Sequence, residues 1–224
     1  MAGGRGLRLH PLTIHSPKSM LEVGKKPMLE TLIHGFADQG FDKFTLCVHY
    51  KAELIEGYFR DGSSMGVNIE YVREPYPMGT AGALGLMPRP ERPFIVINAD
   101  VLTRLDYVGL LAFHESCGTL ATVCLALHQY QIPYGVPKLE GDRIVEIAEK
   151  PILNTAVSAG IYVLSPEALD EIPEGPSDMP DLLQSLMKKS NGTTAVTSYC
   201  LTEYWMDVGT FSDLTKAREI HEAN

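Results

Sequence analysis

Phe94-Ile95-Val96-Ile97-Asn98-Ala99-Asp100 is an unbroken apolar run that ends on a polar turn and a carboxylate. A short run without polar alternation is predicted to be a strand covered on both faces, as in a parallel sheet layered between helices. Open α/β sheets bind their ligands outside the carboxyl ends of the strands, which is where Asp100 falls. The flanking sequence fits this reading. Met28, Leu29, Leu32, Ile33 and Phe36 recur at helical spacing, with Pro27 suited to a first turn and Gly40 to a stop. Residues 44–48 and 67–72 read as strands, and 53–59 between them as a short helix. Further on, 105–115 is predicted helical and 119–127 extended, and 135–139 with 144–147 form a hairpin around Glu140-Gly141-Asp142-Arg143. Strands at 157–164 and 195–199 and helices near 166–171, over 178–189 and from 211 to about 221 complete the chain. Alternation of this kind predicts an α/β layer structure with a largely parallel sheet.

Composition narrows the function classes. The 224 residues are 45% apolar, and 19 basic against 28 acidic residues leave a formal charge of -9. That excludes the broad cationic surface a nucleic-acid partner needs, although a few clustered Lys and Arg can still hold a polyphosphate. The four cysteines, Cys47, Cys117, Cys124 and Cys200, show neither a C-x-x-C pair nor zinc-ligand spacing, and the seven histidines form no metal-spaced cluster. Reduced thiols in a cytoplasmic protein are expected. No apolar run approaches the roughly 20 residues needed to span a bilayer, no signal segment is present, and no membrane association is expected. No hexapeptide repeat follows the globular part.

The chemistry concentrates near the start. Met1-Ala2-Gly3-Gly4-Arg5-Gly6-Leu7-Arg8-Leu9 packs three glycines and two arginines into nine residues, and Lys18 follows ten residues after Arg8. Glycines let backbone amides approach phosphate oxygens, and guanidinium supplies forked donors to them. A dinucleotide-binding reading of this loop fails, because no acidic residue follows about 20 positions on in a βαβ context, and Glu22 falls too early.

The order of motifs is more specific. Ala2-Gly3-Gly4-x-Gly6-x-Arg8-Leu9, Pro11-Leu12-Thr13, Pro17-Lys18 and Val23-Gly24-x-Lys26-Pro27-Met28-Leu29-Glu30 resemble the N-terminal block of the sugar-1-phosphate nucleotidylyltransferases. The likeness continues through Gly79-Thr80-Ala81-Gly82-Ala83-Leu84, Asn98-Ala99-Asp100, Pro133-Tyr134-Gly135-Val136, Glu149-Lys150-Pro151, Ala159-Gly160-Ile161-Tyr162 and Glu203-Tyr204-Trp205-Met206-Asp207-Val208-Gly209-Thr210. It implies a Rossmann-like three-layer fold with a mixed, mainly parallel sheet and helices on both faces. It also implies transfer of a nucleotidyl group from a nucleoside triphosphate to a sugar-1-phosphate, releasing pyrophosphate.

The resemblance assigns roles. Arg8 and Lys18 would contact the triphosphate, Ala2, Gly3 and Gly4 would cradle the nucleotide, and Gly79 and Thr80 would lie on the base side. Asp100 and Asp207 would hold Mg²⁺, since two carboxylates from distant segments repel unless a cation sits between them. Glu149 would accept sugar hydroxyls, Lys150 would bind the sugar's phosphate, Gly135 would leave room for the pyranose, and Ser158, where Asn is common, would add a sugar contact. Residues 1–105 would form the nucleotide half of one domain and 106–224 the sugar-phosphate half. Guanine is favoured, with thymine or uracil close behind, and a homo-oligomer is compatible with the family. The competing reading is a non-catalytic, nucleotide-sugar-sensing paralogue, which would be expected to lose Lys18, Asp100 or Asp207; all three are present. The family's first strand precedes the glycine loop, whereas this sequence opens inside it. The likeness extends to domains that follow paired cystathionine-β-synthase-type modules in longer bacterial proteins. A strand upstream of Met1 and an N-terminal regulatory region are therefore expected.

Overall fold

Helices and strands alternate along the computed structural model, which describes residues 1–189 and 194–222. Short strands β1 (Glu22–Val23) and β2 (Lys26–Pro27) precede helix α1 (Met28–Ala37), then β3 (Lys43–Val48), α2 (Ala52–Phe59) and β4 (Asn68–Arg73). Next come β5 (Phe94–Ile97), β6 (Val101–Thr103), α3 (Tyr107–Cys117) and the long strand β7 (Ala121–Gln131). The hairpin β8 (Gly135–Glu140) and β9 (Arg143–Glu149) leads into β10 (Ile152–Leu164), α4 (Met179–Lys189), β11 (Val196–Cys200), β12 (Trp205–Asp207) and α5 (Phe211–Glu222). Helix α3 begins later than its apolar pattern because Asp106 caps it, its carboxylate accepting the Gly109 N–H at 2.9 Å. Pro166–Glu171 winds as 3-10 turns.

Strands β11, β7, β10 and β5 form a four-stranded sheet in that order, with β11 parallel to β7, and β10 antiparallel to both its neighbours. Strands β3 and β4 pair in parallel. Residues 1–3 join the two groups. The Met1 ammonium donates to the Ile97 carbonyl at 2.8 Å, and the Met1 carbonyl accepts from the Ala99 N–H at 3.0 Å, the ladder of a parallel pair. On the other side the Ala2 N–H donates to the Cys47 carbonyl at 2.8 Å and the Tyr50 N–H to the Gly3 carbonyl at 3.3 Å. The result is a mixed, mainly parallel sheet.

Alternating residues of β10 explain why both faces are covered. Ile161 and Val163 enter one core with Leu29, Ile33 and Phe36 of α1 and Leu110 of α3. Tyr162 and Leu164 enter a second with Met179, Leu182 and Leu186 of α4. Phe36 stacks on Tyr107 with ring centres 3.6 Å apart, locking α1 to α3.

Three features were not predicted. Strands β7 and β10 remain paired out to Gln131 and Ile152, well beyond the apolar parts of their sequences, and form an exposed arm that carries the β8–β9 hairpin. Two small antiparallel ladders, β1–β2 and β6–β12, carry too few residues for a periodic signal. All four cysteines are free thiols, and among the described residues no helix is long and apolar enough to cross a membrane.

Before residue 1 the sheet has a gap. Residues 1–3 join only the carboxyl ends of β3 and β5; among the described residues no strand lies between the rest of their facing edges, where a cavity of about 320 Å³ is lined by Leu32, Ile33, Phe44, Leu46, Ile95 and Ile97. The Met1 ammonium sits at its end, where burial holds it below its ordinary pKa of 8.0. The unfolded chain therefore binds this proton more tightly, so stability falls as pH drops below that value and is regained as pH rises through it. Extending the chain before Met1 by about four apolar β-branched residues, enough to match β5, is expected to pair both edges and replace the ammonium by an amide. The extended chain should melt higher, with the difference widening as pH is lowered from about 9 to about 7. Thermal melting of both chains checks this, and coincident curves would show that the gap takes no strand.

Candidate active site

The bridge formed by residues 1–3 delivers the glycine loop to the top of the sheet. Gly6 has φ +61°, and a Cβ there would press on Lys18 and Thr13 at 3.0 Å, so only glycine fits. The buried Thr13 hydroxyl donates to the Gly6 carbonyl at 2.9 Å and fixes the turn. Leu9, fully buried beside Met28, Leu102 and Val208, anchors the far side. Arg8 runs beneath Gly209, where a Cβ would lie 3.1 Å from its guanidinium.

The β6–β12 ladder explains how residues 107 positions apart in sequence meet. Asp207 pairs with Val101, and the Val208 N–H donates to the Asp100 carbonyl at 3.0 Å, setting the two carboxylates side by side. Lys18, on the turn Lys18–Met20, lies between them, its Nζ 2.5 Å from Asp100 Oδ2 and 4.0 Å from Asp207 Oδ1. Burial first, then the charge of Asp100, raises the Asp207 pKa above the ordinary 3.8, while Lys18 and Arg8 pull it down. The group is a charge cluster short of cations: two carboxylates share one ammonium and a more distant guanidinium. Next to Lys18, the Ser19 hydroxyl is buried without a hydrogen-bond partner.

A second loop closes the cleft. Gly79 has φ +76°, and a Cβ there would strike the Ser177 carbonyl at 2.5 Å. The Thr80 N–H and hydroxyl both donate to Asp178 Oδ1, at 3.0 and 3.3 Å, and the Thr80 hydroxyl accepts from the Met179 N–H at 2.8 Å. The loop is thereby tied to the start of α4.

Ala2, Gly3, Gly4, Arg8, Lys18, Gly79, Thr80 and Asp100 all line one cleft of about 500 Å³. Ser158 and Asp207 line an adjoining depression of about 530 Å³, and Asn98 borders both. These volumes suit small-molecule ligands. In the depression the Ser158 hydroxyl is 2.9 Å from the Tyr162 hydroxyl, and Trp205 donates to the Ala159 carbonyl at 2.8 Å. Gly135, Glu149 and Lys150 are placed elsewhere. Gly135 pairs with Glu149 at the root of the hairpin, and Lys150, with φ +49°, donates its N–H to the Tyr134 carbonyl at 3.2 Å. None of the three is among the residues lining the cleft or the depression.

Sequence reasoning missed Glu74, Asn98 and Asp178. Asn98 falls within a motif that assigns it no role, and Glu74 and Asp178 belong to no motif, so only the folded loops reveal where they point.

The pattern of known proteins agrees with this geometry. A family model described as nucleotidyl transferase matches residues 1–224. A mannose-1-phosphate guanylyltransferase of Mycobacterium tuberculosis is 35% identical over 225 residues, covering 96% of this chain and 62% of that protein. The mannose-1-phosphate guanylyltransferase catalytic subunit beta of Dictyostelium discoideum is 32% identical over 219 residues, covering 93% of this chain and 60% of that protein. The chain thus spans about three fifths of the length of these curated relatives. The crystal structure of HddC from Yersinia pseudotuberculosis superposes with a TM-score of 0.70 at 25% identity, covering 98% of this chain and 96% of that one. With a glycine loop, a cation and two carboxylates converging in a fold shared with HddC, and a family match over the whole sequence, the chain belongs to the nucleotidyl transferase family.

Proposed function

We propose that the chain transfers a nucleotidyl group from a nucleoside triphosphate to a sugar-1-phosphate, releasing pyrophosphate. The observation that carries this reading is Lys18 held between Asp100 and Asp207 where the glycine loop and Arg8 converge. A sugar phosphate already carries an anionic oxygen. Attack by that oxygen on the α-phosphorus forms the new P–O bond as the bond to the bridging oxygen of pyrophosphate breaks, and no covalent enzyme intermediate is needed. The protein's part is to align the two phosphates and offset charge at the α-phosphate and the leaving group, the task of Lys18 and Arg8.

The donor set suits Mg²⁺. Asp100 and Asp207 offer hard oxygen ligands, and among the described residues no group of three or more metal-binding side chains exists, so substrate phosphates would complete the shell. A cation there would also relieve the repulsion that raises the Asp207 pKa. When bound, the metal would screen the phosphates and help stabilise the departing charge.

The names of the curated relatives support guanylyl transfer, with mannose-1-phosphate the first sugar phosphate to try. The depression beside Ser158 suits the sugar. Gly135, Glu149 and Lys150, together at the root of the β8–β9 hairpin, are the further candidates for sugar-phosphate contacts.

Pyrophosphate release from a panel of nucleoside triphosphates and sugar-1-phosphates tests the proposal; no release from any pair would overturn it. Asp100→Asn and Asp207→Asn are each expected to abolish most activity with circular dichroism unchanged, since each removes charge while keeping shape. Full activity in Asp207→Asn would remove that residue from the metal site. Lys18→Ala should lower kcat by roughly 10²–10³-fold, the scale seen when one donor to developing charge is deleted. Lys150→Ala should mainly raise the KM for the sugar phosphate. Only interactions that strengthen in the transition state set turnover, so equal effects of both lysine variants on kcat and KM would refute this division.

A further inference from the structure

The cleft wall that carries Gly79 and Thr80 is held from behind by Asp178, which is not among the residues lining the cleft. Asp178 precedes α4, and its main-chain carbonyl accepts the Asp181 and Leu182 N–H groups at 3.0 and 3.2 Å, which makes it the helix N-cap. An aspartate there ordinarily turns its carboxylate onto the N–H of the second or third helical residue. The second is Pro180, which has no N–H, and the third, Asp181, already gives its N–H to the main chain. The carboxylate is left for another partner, and its Oδ1 accepts both the N–H and the hydroxyl of Thr80. Thr80 answers in kind: its hydroxyl oxygen accepts the N–H of Met179, the first residue of α4. Each segment caps the other.

The two segments interlock along their length. The Ser177 N–H donates to the Met78 carbonyl at 2.9 Å, and the Ser177 carbonyl accepts the Ala81 and Gly82 N–H groups at 2.9 and 3.0 Å. A Cβ on Gly79 would lie 2.7 Å from Asp178 Oδ1, and one on Gly82 2.6 Å from the Gly175 carbonyl, so the chains meet where no side chain fits. Behind this contact the support is rigid, because Met179, Leu182 and Leu186 are almost wholly buried in the second core. In front of it the wall has little support of its own. Gly79 is exposed and Thr80 half-buried, and among the described residues the Thr80 N–H and hydroxyl find partners only in Asp178 and Met179.

We infer that Asp178 is a positioning residue for nucleotide binding, which holds Gly79 and Thr80 in the conformation that a nucleoside triphosphate meets and touches no ligand itself. The inference rests on the nucleotidyl-transfer reading for the identity of the cleft's ligand, but not on turnover. A loop that loses its anchor samples other conformations, and apparent affinity falls with the fraction that stays competent. Coupling of this kind is reciprocal, so a ligand seated on the wall also stabilises the first turn of α4. The rival role is structural: a cap that steadies α4 and does nothing for the cleft. The two part at the ligand. Loss of a cap lowers the melting temperature alone, whereas loss of a positioning bond lowers nucleotide affinity and leaves turnover at saturation in place.

The experiment is calorimetric binding of GTP, UTP, dTTP and ATP, each with Mg²⁺, to the wild-type chain, Asp178→Ala and Asp178→Asn, with melting temperature, pyrophosphate release and amide exchange measured alongside. Asp178→Ala removes both bonds to Thr80 and should weaken binding of the nucleotides that wild type binds by about tenfold, the scale of one to two net hydrogen bonds. The KM for the triphosphate should rise to match, while kcat and the KM for the sugar phosphate stay within about twofold. Asp178→Asn, whose amide oxygen can accept the same two bonds, should restore most of the affinity. In wild type, nucleotide should slow exchange of the Met179 amide, and in Asp178→Ala it should do so less. A lower melting temperature at unchanged nucleotide affinity would overturn the inference in favour of the cap. So would wild-type exchange at Met179 that is indifferent to nucleotide, a comparison that decides the matter even if the alanine variant fails to fold. Weakened nucleotide binding by Asp178→Ala in a chain that releases no pyrophosphate would support the positioning role and count against the transfer reading alone. A chain that binds none of the four would overturn both.

Discussion

Residues 1–3 hold the molecule together. Four main-chain hydrogen bonds from this segment, to Cys47 and Tyr50 on one side and to Ile97 and Ala99 on the other, make one sheet out of two. Everything the cleft needs follows from that bridge. It sets the glycine loop at the carboxyl ends of β3 and β5, where an open α/β sheet exposes its chain turns to a ligand. It places Ala99 and Asp100 directly beside the loop they must work with. It also keeps Gly3 against Glu74, so the same few residues determine both the architecture and the shape of the cleft wall.

The electrostatics are built around scarcity. The chain carries nine more acidic than basic residues, yet Lys18 and Arg8 are brought to the place where Asp100 and Asp207 converge. Lys18 is mostly shielded, with its side chain 12% exposed, so its charge is less screened by water and salt than that of a surface lysine. The β6–β12 ladder is only three residues long, but it sets the geometry of this cluster because it fixes Asp207 relative to Asp100.

Much of this was legible in the sequence, and the parts that were not share a physical cause. Helix α1 announces itself because its apolar residues follow one period, and strand β5 because its four consecutive apolar residues are covered on both faces. The outer halves of β7 and β10 do not, because His128, Gln129, Asn154 and Thr155 are exposed polar residues, joined by the backbone ladder and by the Gln129–Asn154 side-chain hydrogen bond rather than by apolar packing. Strands β6 and β12 are too short for any period to show. The family likeness named Asp100 and Asp207 without saying how they meet. Glu74 and Asp178 were invisible for a different reason: their significance lies in which loop they face, and that exists only after folding.

The arm itself has a consequence for how the molecule moves. Its hairpin has two strands, leaves Tyr134, Leu139, Ile144 and Ile147 largely exposed, and contributes no residue to either core. Two strands without a covered face are marginal by themselves. The hairpin is therefore a separate cooperative unit, whose amides exchange with solvent through local opening while those of β5 and the inner half of β10 wait for the whole sheet to unfold. Cleavage at its Gly141 turn would leave both cores and the cleft around the glycine loop standing.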